Sequence, residues 1–383
     1  MMKFVRQAWF PLALALNQSV FAAPLLTPAT PIINAKGYIL VDFHSQRAIA
    51  QHNADTRMEP ASLTKMMTAY VVSHELDART IHSDDEVLIS DKAWRMPGSR
   101  MFIKAGTRVT VDNLIKGVII QSGNDAAVAL AEHVAGSENA FADLMNEHAQ
   151  RLGLISTHFA NSTGLPHPNH YSTPRDLAAL AKAIIQDHPG SYSLYAAKEF
   201  EYNNIKQKNR NDLLWEDDAV DGLKTGHTNA AGYCLVASAR KNNMRLIAVV
   251  LGTRSENQRA AETKKLLDYG FRFFETKRLY EANEPITEVT IWKGAQKNLT
   301  LGLREDLYVT IPRGQFDNLK TQLQTKERIL APASNGQRLG TMTVKLGDQS
   351  FAERNLVALE SVQSGTLLNN LMDDFRLLFD DTP

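Results

Sequence analysis

Three short groups of residues in this 383-residue chain have types and spacings that do chemistry. The first is Ser62 and Lys65 in "RMEPASLTKMMTAYVV", a serine three residues before a lysine in an otherwise apolar run. On a helix this spacing puts both side chains on one face, within reach of each other. A serine hydroxyl is a poor nucleophile, and a neutral amine beside it can take its proton. Near pH 7 the lysine must come down from a reference of about 10.4 to about 7, worth roughly 4 kcal/mol. Burial and a second nearby cation can supply that. The apolar surroundings of Lys65 therefore favour a base over an ion pair. Alone, a Ser-x-x-Lys pattern recurs by chance on solvated helix faces. It gains weight from two companions further along, "SGN" at Ser122 to Asn124 and "KTG" at Lys224 to Gly226.

The elements around these groups must hold them. "GYILVDFHSQRAIAQHNAD" reads as a hairpin turning at His44 to Arg47. Leu63, Met66, Met67, Tyr70 and Val71 recur at helical spacing, so the Ser62 segment begins a helix wrapped by core. Thr107 to about Asp187 reads as mostly helical, with "VDNLIKGVII" and "DAAVALAEHVAG" joined by "QSGN". Gly123 and Asn124 break what would be one long helix and let side chains project into a cleft. From Asp221 the pattern becomes two apolar strands around a turn at Lys241 to Asn243, followed by the amphipathic helix "ENQRAAETKKLLDYGFRFF". Lys224 to Gly226 start a strand whose edge can accept an extended peptide. Strands at both ends with helices between predict a mixed α/β architecture rather than alternating βαβ units. Beyond about Lys277 short alternating runs broken by Gly, Pro, Asn and Asp predict a small all-β domain.

The 42 basic and 42 acidic residues balance, so overall charge gives no argument for a nucleic-acid partner. Lys3 and Arg6 ahead of an apolar run from Ala8 to about Val20 read as a secretory signal peptide, residues 1–22. The single cysteine, Cys234, allows no intramolecular disulfide, and its apolar strand context predicts a buried, inert thiol. No His-Glu-x-x-His pattern occurs among the eleven histidines; His167 and His170 in "HPNH" come nearest, and no metal or cofactor is expected. The last segment, "GTLLNNLMDDFRLLFDDTP", aligns Leu367, Leu368, Leu371, Met372, Phe375, Leu378 and Phe379 on one helix face. Its excess acids oppose an anionic membrane by about 1 kcal/mol each, against roughly 1.5–3 kcal/mol for each apolar group fully buried. Membrane association is the expectation, with docking on the β domain or a partner as the alternative.

With these motifs in that order the chain resembles the penicillin-recognising serine enzymes, in which an aspartate stands at the place of Gly123. It looks most like the low-molecular-mass penicillin-binding proteins that are D-alanyl-D-alanine carboxypeptidases. "EPASLTKMMTAYVV", "QSGNDAAVALAEHVAGS", "NSTGLPHPNHYSTPRDLA", "DGLKTGHTNAAGYCLVASA" and "KKLLDYGFRFFET" all carry the likeness, over essentially the whole mature chain. The resemblance implies the penicillin-recognising fold, an antiparallel sheet flanked by helices with a helical subdomain, followed by a small all-β domain. The implied divisions are a catalytic domain at 23–276, a β-rich domain at 284–360 and an amphipathic helix at 364–383.

The resemblance also implies roles. Ser62 is the acylated nucleophile and Lys65 its base, with the backbone N–H groups of Ser62 and His227 as oxyanion hole. Ser122 relays a proton to the departing D-alanine, and Asn124 binds the peptide backbone or orients Lys65. Lys224 keeps Lys65 neutral, Gly226 completes its motif, and Thr225 with an arginine holds the terminal carboxylate. Arg259 is the arginine that the spacing favours, with Arg254 and Arg210 as alternatives. The implied substrate is the peptidoglycan stem pentapeptide, with β-lactams as covalent inhibitors, at the periplasmic face of the bacterial inner membrane. Two enzymes with the same machinery compete with this reading. A D,D-endopeptidase is disfavoured by the carboxylate clamp, and a class A β-lactamase by the lack of a Glu-x-x-Leu-Asn pattern after the second motif. A non-enzymatic wall-binding module would carry a broken motif, and none is broken.

Overall fold

The computed structural model describes residues 28–379, so the expected signal peptide lies outside the described residues. Five strands form one antiparallel sheet: β1 (Gly37–Asp42), β2 (Ala48–His52), β3 (Val220–Thr228), β4 (Gly232–Lys241) and β5 (Met244–Thr253). Their spatial order is β2, β1, β5, β4, β3, so the N-terminal hairpin closes onto the last strand and β3 is left at the edge. Strand β3 begins at Val220, so Lys224 to Gly226 lie inside it rather than at its start. Side chains alternate between the two faces. Ile39, Val236, Ile247 and Val249 enter one apolar cluster, whereas Leu40, Leu235, Leu246 and Val250 enter the other.

The first face carries a helical lobe built on α1 (Lys65–Asp77), α2 (Asn124–Ala135), α3 (Glu138–Arg151) and α4 (Pro174–Asp187). Every residue of α1 from Lys65 to Ser73 is buried, because helices and sheet surround it. The hydroxyls of Ser137 and Thr173 cap α3 and α4, accepting from Ala140 N and Asp176 N. On the other face α5 (Glu256–Phe273) packs Leu266, Leu267 and Tyr269 against the sheet.

The Ser62 segment differs from the sequence expectation. Ala61 to Thr64 form a 3₁₀ turn, and the α-helix begins only at Lys65. Ala61 stands at φ 49°, pressed by the loop of Gly164, where a Cβ would lie 1.8 Å from the Ala61 carbonyl oxygen. In a 3₁₀ turn residues i and i+3 eclipse, which lines Lys65 up with Ser62 more directly than an α-helix would.

After α5 the chain runs straight into β6 (Phe274–Tyr280). It continues through β7 (Thr287–Thr290), β8 (Asn298–Gly302), β9 (Leu307–Pro312), β10 (Leu319–Thr325), β11 (Arg338–Leu346) and β12 (Gln349–Ala358). Strands β6 and β9 pair with each other, while β7, β8, β12, β11 and β10 form a second antiparallel sheet over a core that includes Leu299, Leu301, Val309 and Met342. Asp42, at the end of β1, links the two units. It accepts from Thr276 Oγ1 at 2.7 Å and from the backbone N–H groups of His44 and Ser45.

Helix α6 (Leu367–Phe379) ends the described chain. The Asp373 carboxylate accepts from Lys293 N at 2.7 Å, and Asp374 pairs with Lys293 Nζ at 2.5 Å. Leu367, Leu371, Met372 and Phe375 stay exposed. Among the described residues no helix is long and apolar enough to cross a membrane.

Candidate active site

Lys65 is 1% exposed, and its amine has three partners: Ser62 Oγ at 3.1 Å, Asn124 Oδ1 at 2.6 Å and the Thr163 carbonyl at 2.7 Å. Asn124 Nδ2 donates to the Pro97 carbonyl at 2.6 Å, which fixes Asn124 with its oxygen toward the lysine. A neutral amine has two N–H groups and one lone pair. The amide and peptide oxygens only accept, so they take the two N–H groups and the lone pair is left facing the Ser62 hydroxyl. That is the arrangement of a base aimed at its nucleophile. Burial brings Lys65 down to about 7, opposed by Asp125 and helped by the Arg210 cation.

Ser122 closes a π-helical turn, Gly117–Gln121, in the left-handed conformation at φ 65° and ψ 34°. This turns its side chain out of the helix run and into the cleft, where the buried Ser122 Oγ makes no hydrogen bond. Asp125, next along, is fully buried and accepts from the backbone N–H groups of Met101 and Phe102, each at 2.9 Å. It pins the loop at Met101 and Phe102 to the start of α2 and explains the glycine in "SGN". A Cβ on Gly123 would stand 2.8 Å from Asp125 Oδ1 and 3.2 Å from Met101 N.

Edge strand β3 forms the opposite wall. It passes so near the 3₁₀ turn that a Cβ on Gly226 would be 3.1 Å from Ser62 N and 3.0 Å from the Pro60 carbonyl. Lys224 is buried, and its amine donates to the Thr225 carbonyl at 3.0 Å. Burial, then Lys65, Arg210 and Arg259, hold it well below its ordinary value. Lys65 thus disfavours charge on Lys224, whereas the cation that lowers Lys65 is Arg210, in the place that the resemblance gave to Lys224.

The cleft between these walls has a volume of about 420 Å³, and Ser62, Ser122, Asn124, Thr225, His227 and Arg259 all line it. Arg259 reaches it from the first turn of α5, is 3% exposed, and donates to the Arg210 carbonyl at 3.2 Å. Arg210 also lines the cleft, whereas Arg254 is exposed and does not. The His227 ring is exposed and stacks on Tyr233, with centroids 4.0 Å apart.

Two contributors, the Thr163 carbonyl and the Gly164 loop, lie in the stretch "NSTGLPHPNHYSTPRDLA" but are not singled out by it as site residues, because backbone groups leave no side-chain pattern. His170 is not a ligand here: its Nδ1 accepts from Ala160 N at 3.1 Å and its Nε2 meets Thr64 Oγ1 at 2.7 Å. Burial lowers it to about 4 and keeps it neutral. Cys234 is buried in β4, and burial raises its thiol to about 11.

The family described as D-alanyl-D-alanine carboxypeptidase matches residues 25–255, and the penicillin-binding protein 5 C-terminal domain matches residues 274–364. D-alanyl-D-alanine carboxypeptidase DacC of Escherichia coli strain K12 is 44% identical over 377 residues, which is 96% of this chain and 92% of that protein. DacA of the same organism is 42% identical over 362 residues, 92% of this chain and 90% of its own. The crystal structure of penicillin binding protein 5 from Haemophilus influenzae superposes with a TM-score of 0.86 at 42% identity, covering 88% of this chain and 100% of that one. The fold and these matches define a penicillin-recognising serine hydrolase with a trailing all-β domain. More narrowly, the chain belongs to the D-alanyl-D-alanine carboxypeptidase family. Its reaction is removal of the terminal D-alanine through a serine acyl-enzyme.

Proposed function

We propose that this chain trims the terminal D-alanine from peptidoglycan stem pentapeptides, with Ser62 as nucleophile and Lys65 as its base. The observation that carries this is the three-partner setting of the Lys65 amine, whose lone pair faces Ser62 Oγ at 3.1 Å. The peptide lies along the open edge of β3, extending the sheet by one strand. Thr225 and Arg259 take its carboxylate. Lys65 accepts the hydroxyl proton while Ser62 Oγ bonds to the carbonyl carbon of the penultimate D-alanine. The charge gathering on that oxygen is held by the Ser62 and His227 backbone N–H groups, a reading supported by the close approach of Gly226 to Ser62 N. As the peptide bond breaks, the proton passes to the leaving amine through Ser122, whose buried hydroxyl has no competing partner. Asn124 orients Lys65. Water then releases the shortened peptide.

A β-lactam presents the same carbonyl and carboxylate, so it acylates Ser62 and leaves slowly. The chain divides on this reading into a signal peptide at 1–22, a catalytic domain at 23–276, a β-rich domain at 284–360 and a membrane-associating helix at 364–383. It is exported to the periplasmic face of the inner membrane. The outward Leu367, Leu371, Met372 and Phe375 support peripheral association, since Lys293 engages the acids of the same helix. The deciding experiment is intact-protein mass spectrometry after penicillin, with peptide mapping and release of D-alanine from a pentapeptide. An adduct on any residue other than Ser62 overturns the assignment. Faster cleavage of a crosslinked dimer than of the pentapeptide would make the enzyme an endopeptidase instead.

A further inference from the structure

Far along α1 from Lys65, three helices end together around a group of histidines that the reaction does not use. His74 and Glu75 lie in the last turn of α1, His148 lies in the last turn of α3, and His188 follows the end of α4. A ligand atom from each of His74, Glu75 and His148 lies within 4.8 Å of the other two. The His74 and His148 rings meet edge to face with centroids 4.8 Å apart, and His188 sits 6.3 Å from His74.

The polar groups here are under-used. His148 is 4% exposed, and its ring packs edge-on against those of Tyr70 and His74. His188 is 5% exposed; its Nδ1 is held by Asp77 Oδ2 at 2.6 Å, leaving Nε2 buried without a partner. A ring with one nitrogen on a carboxylate and the other bare has the arrangement found in metal-ligating histidines. One Glu75 oxygen accepts from Thr80 Oγ1, and the other is free to ligate. Three helix C-termini also converge, each presenting partial negative charge that favours a cation.

We propose that His74, Glu75 and His148 form a binding site for a divalent transition metal of the zinc class, with the His188 ring close by. Two imidazoles and one carboxylate are a zinc-type donor set, and bonds of about 2.0–2.1 Å place tetrahedral ligands about 3.3 Å apart. The present spacing closes to that with small rotations of half-exposed His74 and Glu75. The ion bolts the end of α1 to the end of α3, so its role is to brace the helix whose opposite end carries the catalytic pair.

The test uses the untagged chain, stripped with a chelator and dialysed against zinc chloride, with bound metal counted and the unfolding midpoint recorded. One zinc per chain is expected, with a midpoint that climbs with zinc concentration. His74→Gln and His148→Gln should lose both responses while keeping penicillin labelling of Ser62. His148 is buried, so half-exposed His74 is the deciding position. Absence of zinc binding by the wild-type chain overturns the proposal, as does unchanged binding and midpoint response in His74→Gln.

Discussion

Replacing Asn124 by aspartate tests the base assignment directly, because it turns the amide whose oxygen lies 2.6 Å from the Lys65 amine into a charged carboxylate and changes little else in shape. With Lys65 at about 7 rather than its usual 10.5, about half the enzyme carries a free lone pair at pH 7. Acylation by a β-lactam should therefore climb about tenfold from pH 6 to pH 8 and then level off. A carboxylate in contact with the amine favours the charged form and moves that limb upward by roughly 1–3 pH units. At pH 7 acylation should fall roughly 5- to 500-fold and recover as the solution is made alkaline. The aspartate also sets an acceptor against the Pro97 carbonyl, costing roughly 1–3 kcal/mol of stability, so the unfolding midpoint is measured alongside. Stopped-flow acylation of both proteins from pH 5 to pH 10 gives the result. A uniform loss with the limb unmoved would refute the reasoning, since Asn124 would then act on the substrate and not through Lys65.

Three other outcomes are expected. Arg210→Ala removes a cation that disfavours charge on Lys65, so the acylation limb should move upward, by less than with Asn124→Asp because Arg210 is exposed. Gly164→Ala should lower stability by roughly 3 kcal/mol or more and abolish labelling, since the new Cβ meets the Ala61 carbonyl at 1.8 Å; denaturant melts and labelling gels read both. His170 has its usual 6.5 lowered to about 4, so the unfolded chain binds the extra proton between those values. Stability should then fall by about 3 kcal/mol as pH drops from 6.5 toward 4, and His170→Gln should flatten that slope in denaturant melts.

The apolar run around Lys65 announced a buried lysine, because helical spacing of Leu63, Met66, Met67, Tyr70 and Val71 survives any tertiary arrangement. The alternating strands of the sheet were visible for the same reason, and the hairpin turn at His44 to Arg47 lies where its polar residues put it. The 3₁₀ turn was hidden, since it is imposed on Ala61 by the distant Gly164 loop and not by local propensity. Arg210 as an electrostatic partner, the Thr163 carbonyl and the His74, Glu75 and His148 cluster are also products of folding. Each joins residues far apart in the chain, and no periodicity records such meetings.

The position of β3 at the end of its sheet has a second consequence. An unpaired strand edge is a template for joining other chains edge to edge, and most proteins blunt such edges with charge or bulges. Here the Ser62 turn stands against β3, with Gly226 almost touching it, which should leave little room for a second sheet to dock. The crowding that sets Ser62 against β3 should thus also limit aggregation through the cleft.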